Sequence, residues 1–537
     1  MATLDQPKGG PDRKPDDSDV LQITEIDSRS TTQCLGEAGD EGRTLWQNIK
    51  KYRKVGWITI ALTSGILLYG YDNVVIGSVS GMPRFQQDFG RQLDGPDGEW
   101  ILPSEWLALW NFASPVGAMG GSLAGGWMQD KMGRRLTLAL SSFFSAIAVA
   151  IMYVSYLPQD IDGRRGCFLA GKLIQGIGIG AVMTTTQTYM SEILPPVLRG
   201  SGMAFFPAFT LLGQLTGAIV IFASLDKSKG YAVAFGSQWP FSFVPILVAC
   251  FIPESPAYYV RKHLTEKALQ AQARLDPPGA DTKAIVARIE ADIEHERQLS
   301  RATFQECFHR RNIRRTFIVM WANSLTAVFG LQLLGKASYF LQKVGMKASL
   351  SLIFLILGIL LGLIANGVSV WVMSRVGRRP LIFMSLSITS VLYLCMGIAN
   401  CFKSSAVQWV TSAAMMLITI VCGVGAWPAS FAVAAETSSL QLRAKTQGIG
   451  WFTSAFASAA AGVSLPYVFN PDAGNLRGKV GFTYVGSCVV GLIISWYLIP
   501  EMKDRNVSDI DRMFELNLPA RRFKSWRSDE DNERGQA

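Results

Sequence analysis

The hydrophobic residues of this chain are gathered into long runs that alternate with short polar turns. A helix of about 20 apolar residues crosses the roughly 30 Å hydrocarbon core of a bilayer. Twelve runs reach that length, six in each half of the chain. They lie at about 55–79, 106–128, 136–157, 167–193, 201–224 and 235–252, and then at about 316–341, 349–373, 380–401, 408–435, 445–468 and 479–499. The pattern predicts an all-α polytopic membrane protein with twelve transmembrane helices.

The polar turns of the first half return in the second half. Lys131 and Arg375 are 244 residues apart, and the same offset separates Glu192 from Glu436. Landmarks that agree at one offset indicate an internal duplication, and parallel repeats of six helices are the architecture of a large class of transporters. The twelve runs are therefore predicted to form two six-helix repeats.

Polar segments precede, separate and follow these repeats. Residues 1–42 are rich in Asp, Ser, Thr, Gly and Pro, a composition that buries too little apolar surface to fold, so we expect a disordered tail. Residues 43–253 and 316–500 are the two predicted bundles. The polar segment 254–315 between them is expected to form short surface helices, and residues 501–537 are expected to form a charged C-terminal tail.

The composition agrees with a membrane protein and indicates its orientation. Hydrophobic residues make up 49% of the chain and charged residues 17%, which is too apolar for a typical soluble enzyme. The net charge of +10 comes from Lys and Arg residues scattered among the turns of one side, whereas Asp88, Asp160 and Asp162 lie on the other. The positive-inside rule then places the basic side and both termini in the cytosol. This distribution of charge does not indicate nucleic-acid binding.

The motifs of catalysis are missing from the sequence. Its three histidines, His263, His295 and His309, all lie in the polar segment between the repeats. The sequence contains no phosphate-binding glycine loop, no Cys/His cluster at metal-ligand spacing and no nucleophile elbow. We therefore expect no enzyme activity, no cofactor and no metal, and we expect transport to be driven by a gradient.

One acidic residue lies inside a predicted span. Asp72 is in the first run, past its middle, and a charge within the bilayer costs about 2.5–3.5 kcal/mol on insertion scales, so it is a functional candidate. A carboxyl group at this depth could take up a proton from one side and release it to the other. It could equally serve as a structural hydrogen-bond acceptor for a neighbouring helix. Lys172 in the fourth run is a candidate partner for either Asp72 or Glu192.

A second set of charged residues lies at the ends of the runs on the basic side. Carboxylates at a helix end opposite guanidinium groups in a neighbouring turn form bidentate pairs, which can exist in the outward-facing state and must break when the inner side opens. The alternative is ordinary positive-inside topology with surface ion pairs of little energetic value. The predicted gate comprises Asp130, Arg134, Arg135, Glu192, Arg199, Arg375, Arg379, Glu436 and Arg443.

Motifs distributed from Tyr71 to Glu515 carry a family resemblance. They are Gly70-Tyr71-Asp72, Asp130 to Arg135, Tyr189-Met-Ser-Glu192, Pro253-Glu-Ser-Pro256, Arg375-Val-Gly-Arg-Arg-Pro380 and Glu436 to Thr446. With these motifs the chain resembles the sugar porter branch of the major facilitator superfamily, and the fungal maltose and alpha-glucoside permeases in particular. The resemblance implies the major facilitator fold and alternating access. In proton-coupled members of this family an acid at the place of Asp72 couples proton entry to substrate entry.

The resemblance also suggests residues of a substrate cavity. Gln214 keeps the fifth-helix glutamine that hexose carriers use on a sugar hydroxyl, and Phe431 falls where the family has a ring-stacking aromatic. The seventh run departs from the family, because it has Leu325-Thr326 where hexose carriers have paired glutamines. The predicted cavity comprises Gln214, Gln332, Lys336, Asn366, Trp427 and Phe431.

Lys336 bears on the kind of substrate. It is four residues from Gln332, so the two are expected to share one helical face. A lysine that points into the cavity would favour a substrate with a carboxylate or another anionic group. The alternative is that its long stem carries the amine to the membrane surface.

We therefore expect a secondary transporter that moves a sugar or a sugar-like molecule by proton symport in a plasma membrane, working as a monomer. Its expected partners are a small-molecule substrate, protons and the lipid bilayer. Three alternatives stay open. The cargo could be an organic acid or a secondary metabolite, taken up or exported; the chain could be a facilitator without coupling; or it could be a nutrient sensor built on the same fold.

Overall fold

The computed structural model describes residues 50–92, 100–195, 206–299, 304–402, 404–438, 442–503 and 507–526, together with residues 47, 198 and 505. The predicted N-terminal tail at 1–42 and the end of the C-terminal tail lie outside these residues. Nearly all of the described chain is helical, and the predicted all-α membrane fold is confirmed.

The helices follow the predicted runs closely. In the first half they are α1 (Arg53–Val79), α2 (Pro83–Phe89), α3 (Ser104–Met132), α4 (Arg134–Val154), α5 (Ile161–Ile193), α6 (Phe206–Ala223), α7 (Gly230–Gly236) and α8 (Trp239–Phe251). The polar segment contains α9 (Pro256–Arg261), α10 (Thr265–Leu275), α11 (Thr282–Leu299) and α12 (Phe304–Cys307). In the second half they are α13 (Ile313–Val328), α14 (Leu331–Leu334), α15 (Ala337–Lys343), α16 (Ala348–Val376), α17 (Arg378–Ala399), α18 (Val407–Val424), α19 (Ala426–Thr437), α20 (Arg443–Phe469) and α21 (Val480–Leu498), and α22 (Val507–Glu515) follows.

Eleven spans among the described residues are long and apolar enough to cross a membrane. The one predicted span that is not among these eleven is the second, which corresponds to α3, whose 29 residues are sufficient in length. Its sequence is rich in glycine, serine and alanine, which lowers its hydropathy below that of the other spans. These small residues are used in packing: a Cβ on Gly121 would collide with the backbone of Ile177 in α5, and a Cβ on Gly180 with the backbone of Ala118. Close backbone approach of this kind is how membrane helices pack without a hydrophobic driving force.

Three predicted spans are interrupted. The sixth divides into α7 and α8, the tenth divides at Gly425, and the seventh divides into α13, α14 and α15. Gly330 ends α13 with a φ of 83°, a left-handed conformation that glycine adopts without strain. Lys336 lies in the link between α14 and α15. The seventh span is therefore not one continuous helix, and the sharing of one helical face by Gln332 and Lys336 stays a prediction.

The ends of several helices follow from local chemistry. The carboxylate of Asp160 accepts the Gly163 N–H at 2.9 Å and caps α5, as expected of an acidic residue before a helix. Gly133 separates α3 from α4 with a φ of 92°, and Gly377 separates α16 from α17 with a φ of 95°. Both turns are tight because glycine alone adopts this conformation easily. We call the end of the molecule that carries these two turns the basic end.

At the other end, which we call the opposite end, the two halves are joined by hydrogen bonds. Asp472, after α20, accepts the Ser104 backbone N–H at 2.9 Å and the Ser104 hydroxyl at 2.5 Å. Asn470 donates to the Leu102 carbonyl at 2.8 Å, and the Lys343 amine donates to the Trp100 carbonyl at 3.3 Å. Trp100 belongs to a short antiparallel ribbon of Arg91–Gln92 and Trp100–Ile101.

Backbone packing at the opposite end is equally close. A Cβ on Gly77 of α1 would lie 2.5 Å from the Gly335 carbonyl oxygen and 2.8 Å from Lys336 Cα. Such a separation leaves no room for a side chain. Together with the hydrogen bonds of Asp472, this contact closes the opposite end in the present conformation.

Candidate functional site

A buried ion pair lies in the first half, where α1, α3 and α5 meet. Lys172 of α5 donates to Asp72 Oδ1 at 2.6 Å, and the Ser114 hydroxyl of α3 donates to Asp72 Oδ2 at 3.1 Å. The side chain of Asp72 is 4% exposed and that of Lys172 is fully buried. The structure therefore resolves the alternative left by the sequence: the partner of Lys172 is Asp72. Burying both charges is possible because each compensates the other, and removal of one partner would leave an uncompensated charge.

Glu192, the other candidate partner of Lys172, binds Arg134 instead. Arg134 Nε and one terminal nitrogen donate to the two oxygens of Glu192 at 3.0 and 2.8 Å. The third guanidinium nitrogen donates to the Gln129 carbonyl at 3.0 Å. This two-pronged geometry is the strong form of a charge-assisted hydrogen bond, and the side chain of Arg134 is 1% exposed. The pair joins the beginning of α4 to the end of α5.

Glu254 holds the turn from which Arg134 projects. Its carboxylate accepts the backbone N–H of Arg134 at 2.8 Å and that of Arg135 at 3.2 Å. A carboxylate at a helix N-terminus satisfies unpaired amides and complements the positive end of the helix dipole. Nearby, burial and then the charge of Glu254 raise the pKa of Tyr258. Its hydroxyl donates to the Lys131 carbonyl at 3.0 Å.

The second half repeats this arrangement. Arg378 Nε and one terminal nitrogen donate to Glu436 Oε1 at 3.1 and 2.7 Å, which joins α17 to α19. Unlike the two oxygens of Glu192, both bonds meet at one oxygen, and Glu436 Oε2 is buried without a hydrogen-bond partner among the described residues. Glu501 accepts the backbone N–H groups of Arg378 at 3.2 Å and Arg379 at 3.0 Å. Glu501 is also in contact with Gly377, as Glu254 is with Gly133.

Arg378 was missing from the predicted gate. The offset of 244 residues, applied to Arg134, leads directly to Arg378, so the signal was present in the sequence. Arg375, which the prediction included, is exposed and lies with its guanidinium carbon 4.8 Å from the centre of the Trp371 ring. Arg378, and not Arg375, is the arginine that the fold brings to Glu436.

The remaining gate residues have varied surroundings. Asp130 is exposed and lies 3.7 Å from Arg134. Arg135 donates to the carbonyls of Ala249 and Cys250, and Arg379 donates to the Trp496 carbonyl at 3.0 Å. Arg199 lies outside the described residues. Arg443 begins α20, but its side chain is not among those described.

The predicted cavity residues of the second half include a pair of stacked rings. Phe431 of α19 stacks on Trp451 of α20, with ring centres 5.7 Å apart and planes inclined by 27°. Trp427 and Asn366 are half-buried, and the amide of Asn366 donates to the Gly362 carbonyl of its own helix at 3.3 Å. Sequence reasoning missed Trp451, because nothing in the spacing of α20 connects it with α19.

Two predicted cavity glutamines come from different halves. Gln214 is half-buried in α6, and Gln332 is half-buried in the short helix α14. The amide group of a half-buried glutamine can offer both donors and an acceptor to a hydroxylated ligand. These side chains have the chemistry expected for sugar hydroxyls, and each half of the chain supplies one.

Lys336 lies at the closed opposite end. Its amine nitrogen is buried and has no hydrogen-bond partner within the described part of the chain. It borders a narrow cavity that is also lined by Gly77 of α1, by Ser80 directly after α1, by Asn111 of α3 and by Phe469 of α20. The amine does not reach the surface in this conformation, as the snorkelling alternative would require. A buried cation without a partner is costly, and such a group is a candidate for ligand binding.

Comparison with known proteins agrees with this architecture. A family model described as sugar (and other) transporter matches residues 57–514. The chain is 29% identical over 500 residues to the MFS transporter fmqE of Aspergillus fumigatus, covering 90% of this chain and 91% of that protein. It is 28% identical over 531 residues to the alpha-glucosides permease MPH3 of Saccharomyces cerevisiae, covering 96% and 86%. It is 27% identical over 507 residues to the maltose permease MAL61 of Saccharomyces cerevisiae, covering 92% and 81%.

Solved structures share the fold. The xylose transporter XylE from E. coli in an inward open conformation superimposes with a TM-score of 0.69 at 17% identity, covering 86% of this chain and 99% of that chain. A D-xylose-proton symporter superimposes with a TM-score of 0.66 at 19% identity, covering 84% and 99%. The relatives are permeases and transporters, so the chain is a multi-pass membrane transporter and not an enzyme. Because the family model extends over nearly all of the membrane-spanning region, this chain belongs to the sugar transporter family of the major facilitator superfamily.

Proposed function

We propose that this chain is a proton-coupled symporter that carries a sugar or a sugar-like molecule across the plasma membrane by alternating access of its two halves. The observation that carries the proposal is the pair of Asp72 and Lys172, 2.6 Å apart in the interior of the first half. An uncoupled facilitator has no need of an ionisable carboxyl at this depth. Relatives named as maltose and alpha-glucoside permeases support the sugar.

In this proposal the basic end faces the cytosol, since Lys and Arg concentrate there. The closed opposite end then faces outward, and the conformation is one that would exchange substrate with the cytosol. Asp72 would take up a proton when the opposite end opens. Proton binding would remove the charge that holds Lys172, and so weaken the contact between α1 and α5.

The gate would act through the pairs of Arg134 with Glu192 and Arg378 with Glu436. Each pair lies within one half, so it would fix the shape of that half at the basic end. Both pairs are formed while the opposite end is closed, so in this proposal they stay formed when the inner side opens, although the sequence led us to expect that they would break. Arg199 and Arg443 follow the two glutamates by seven residues each. In the other conformation, these two arginines are proposed to pair with the glutamates across the two halves.

The test uses a yeast strain without its own sugar carriers, expressing the wild type, Asp72→Asn or Asp226→Asn. Asp226 is an exposed residue of the turn after α6 and is the matched control. Maltose, xylose and a polyol are added in turn while external pH and labelled uptake are recorded. We expect alkalinisation with one sugar in the wild type and the control, and its loss in Asp72→Asn. Uptake of a sugar that stays proton-coupled in Asp72→Asn would contradict the role of Asp72, and no response to any sugar would contradict the substrate class.

A second candidate has the same fold and an anionic cargo. The buried amine of Lys336, which has no hydrogen-bond partner among the residues that the structure describes, favours a substrate that carries a carboxylate, such as a sugar acid. Adding a sugar acid and its neutral parent sugar to the same assay separates the two candidates. If the anionic candidate is right, Lys336→Gln abolishes uptake of the acid and leaves uptake of the neutral sugar unchanged.

A further inference from the structure

Two arginines stand beside one tryptophan at the basic end of the second half. The guanidinium carbon of Arg379 lies 5.3 Å from the ring centre of Trp496, and that of Arg521 lies 5.0 Å from the same centre. Arg521 also lies 5.3 Å from the ring centre of Tyr497. Two positive charges that share one ring repel each other, and an anion near both would remove that repulsion.

The rings themselves are turned outward from a membrane-spanning helix. Trp496 is 47% exposed and Tyr497 is 67% exposed, close to the end of α21. Exposed Trp and Tyr at the end of a span lie at the level of the lipid headgroups. Basic residues at the same level attract anionic lipids. The surroundings of the two arginines are thus those of the headgroup layer.

Arg521 is held in place by the folded part of the C-terminal tail. Phe523 is fully buried and packs on Phe514 of α22, with ring centres 5.1 Å apart. Ala520, on the other side of Arg521, is 3% exposed. Since its neighbours are anchored, Arg521 is presented to Trp496 by the fold and is not merely an extended surface side chain.

The internal repeat shows that this cluster is an addition to the scaffold. The offset of 247 residues that relates Glu254 to Glu501 places Ala249 and Cys250 at the positions of Trp496 and Tyr497. In the first half Arg135 donates to the carbonyls of Ala249 and Cys250, just as Arg379 donates to the Trp496 carbonyl. The scaffold therefore needs the contact between arginine and carbonyl, but it does not need aromatic rings or a second arginine.

We propose that Arg379, Arg521, Trp496 and Tyr497 form a binding site for the headgroup of an anionic phospholipid. The phosphate would lie between the two guanidinium groups, and the first carbons of the acyl chains would lie along the two rings. The site ties the C-terminal tail to the membrane surface. It does not depend on the substrate or on proton coupling.

The test is lipid binding by the purified full-length chain. Phosphatidylglycerol and phosphatidylcholine with identical acyl chains are titrated against the wild type, Arg521→Gln and Arg522→Gln, and bound lipid is counted by native mass spectrometry. Arg522 is the matched control, because it is a neighbouring exposed residue of the same charge. One basic residue near an anionic surface contributes enough for about a fivefold change in affinity. We expect phosphatidylglycerol to bind Arg521→Gln about fivefold more weakly than it binds the wild type and Arg522→Gln.

Further measurements distinguish a bound phospholipid from free phosphate as the anion at this site. Trp496→Ala keeps both arginines and should also weaken phosphatidylglycerol binding, since the rings carry the chain contact. Inorganic phosphate at millimolar concentration should not displace the lipid. Equal binding of the two lipids, equal losses in the two arginine variants, or displacement by phosphate would each overturn the lipid site.

Discussion

Lys172 donates to Asp72 at 2.6 Å across the interface of α5 and α1, with both side chains buried. The contact makes the packing of these two helices depend on the charge of one carboxyl group. A neutral Asp72 can still accept a hydrogen bond, but it no longer compensates the charge of Lys172. In the proposed mechanism this is the physical link between protonation of Asp72 and the shape of the first half.

The ion pair of Asp72 and Lys172 predicts that the double variant is more stable than the single variant Lys172→Ala. Lys172→Ala leaves the carboxylate of Asp72 buried without a compensating charge, which costs about 3–5 kcal/mol in comparable sites. Adding Asp72→Asn removes the unpaired charge and should recover a large part of that loss. Thermal unfolding in detergent measures the stability of the single and of the double variant. A double variant less stable than Lys172→Ala would show that the pair is not an ion pair in the folded chain.

The gate predicts that Arg378 is sensitive even to a conservative change. Lysine keeps the charge but offers a single nitrogen, whereas Arg378 donates to Glu436 Oε1 from two nitrogens. Loss of one charge-assisted hydrogen bond is worth about 1.5–3 kcal/mol, so Arg378→Lys should lower the transport rate by about tenfold or more. Arg375→Lys, at an exposed position, should have little effect. Transport rates at equal surface expression provide the comparison, and equal rates would remove Arg378 from the gate.

The turn before α17 predicts a stability effect at Gly377. Its φ of 95° is costly for a residue with a Cβ, by about 1–2 kcal/mol, and a Cβ would lie 2.8 Å from an oxygen of Glu501. Gly377→Ala should therefore lower the melting temperature. Gly367→Ala, in open space within α16, should leave it unchanged or raise it, because alanine favours helix. The order of the two melting temperatures tests the interpretation.

Closure of the opposite end predicts a change in accessibility at Asn111. Asp472 accepts two hydrogen bonds from Ser104 across the halves, so Asp472→Ala should weaken closure. A cysteine at position 111, in a chain whose exposed cysteines are replaced by serine, should then react faster with a thiol reagent that cannot cross the membrane. Asp226→Ala is the control and should react as the parent does. An unchanged rate in Asp472→Ala would mean that closure is maintained without Asp472, by the backbone contact at Gly77 and the hydrogen bonds of Asn470 and Lys343.

The stacked rings predict a role for Trp451 in substrate affinity. Stacking between aromatic rings is worth about 0.5–1.5 kcal/mol, and Trp451 orients Phe431, the proposed ring-stacking residue. Trp451→Ala should raise KM by about two- to tenfold without a comparable fall in the maximal rate. Phe456→Ala, a change at another exposed aromatic residue of α20, is the control. A change confined to the maximal rate would assign Trp451 to the conformational step instead.

Several features of this protein follow from the sequence by itself. The number and order of the spans follow from the hydrophobic runs, because a bilayer requires about 20 apolar residues for each crossing. The repeat follows from one offset between charged turns, and the same offset correctly leads to Arg378. Asp72 is conspicuous in the sequence because a charge inside a span is rare.

Other features depend on the tertiary structure. Whether Lys172 meets Asp72 or Glu192 depends on how α5 packs on α1, and hydrophobic periodicity carries no information about contacts between helices. The packing of helices against one another also decides where spans break, at Gly330 and Gly425. It likewise decides that Trp451 stacks on Phe431 and that Lys336 is buried. A run of apolar residues specifies that a segment enters the membrane, whereas its neighbours decide where the segment bends and which polar groups become paired.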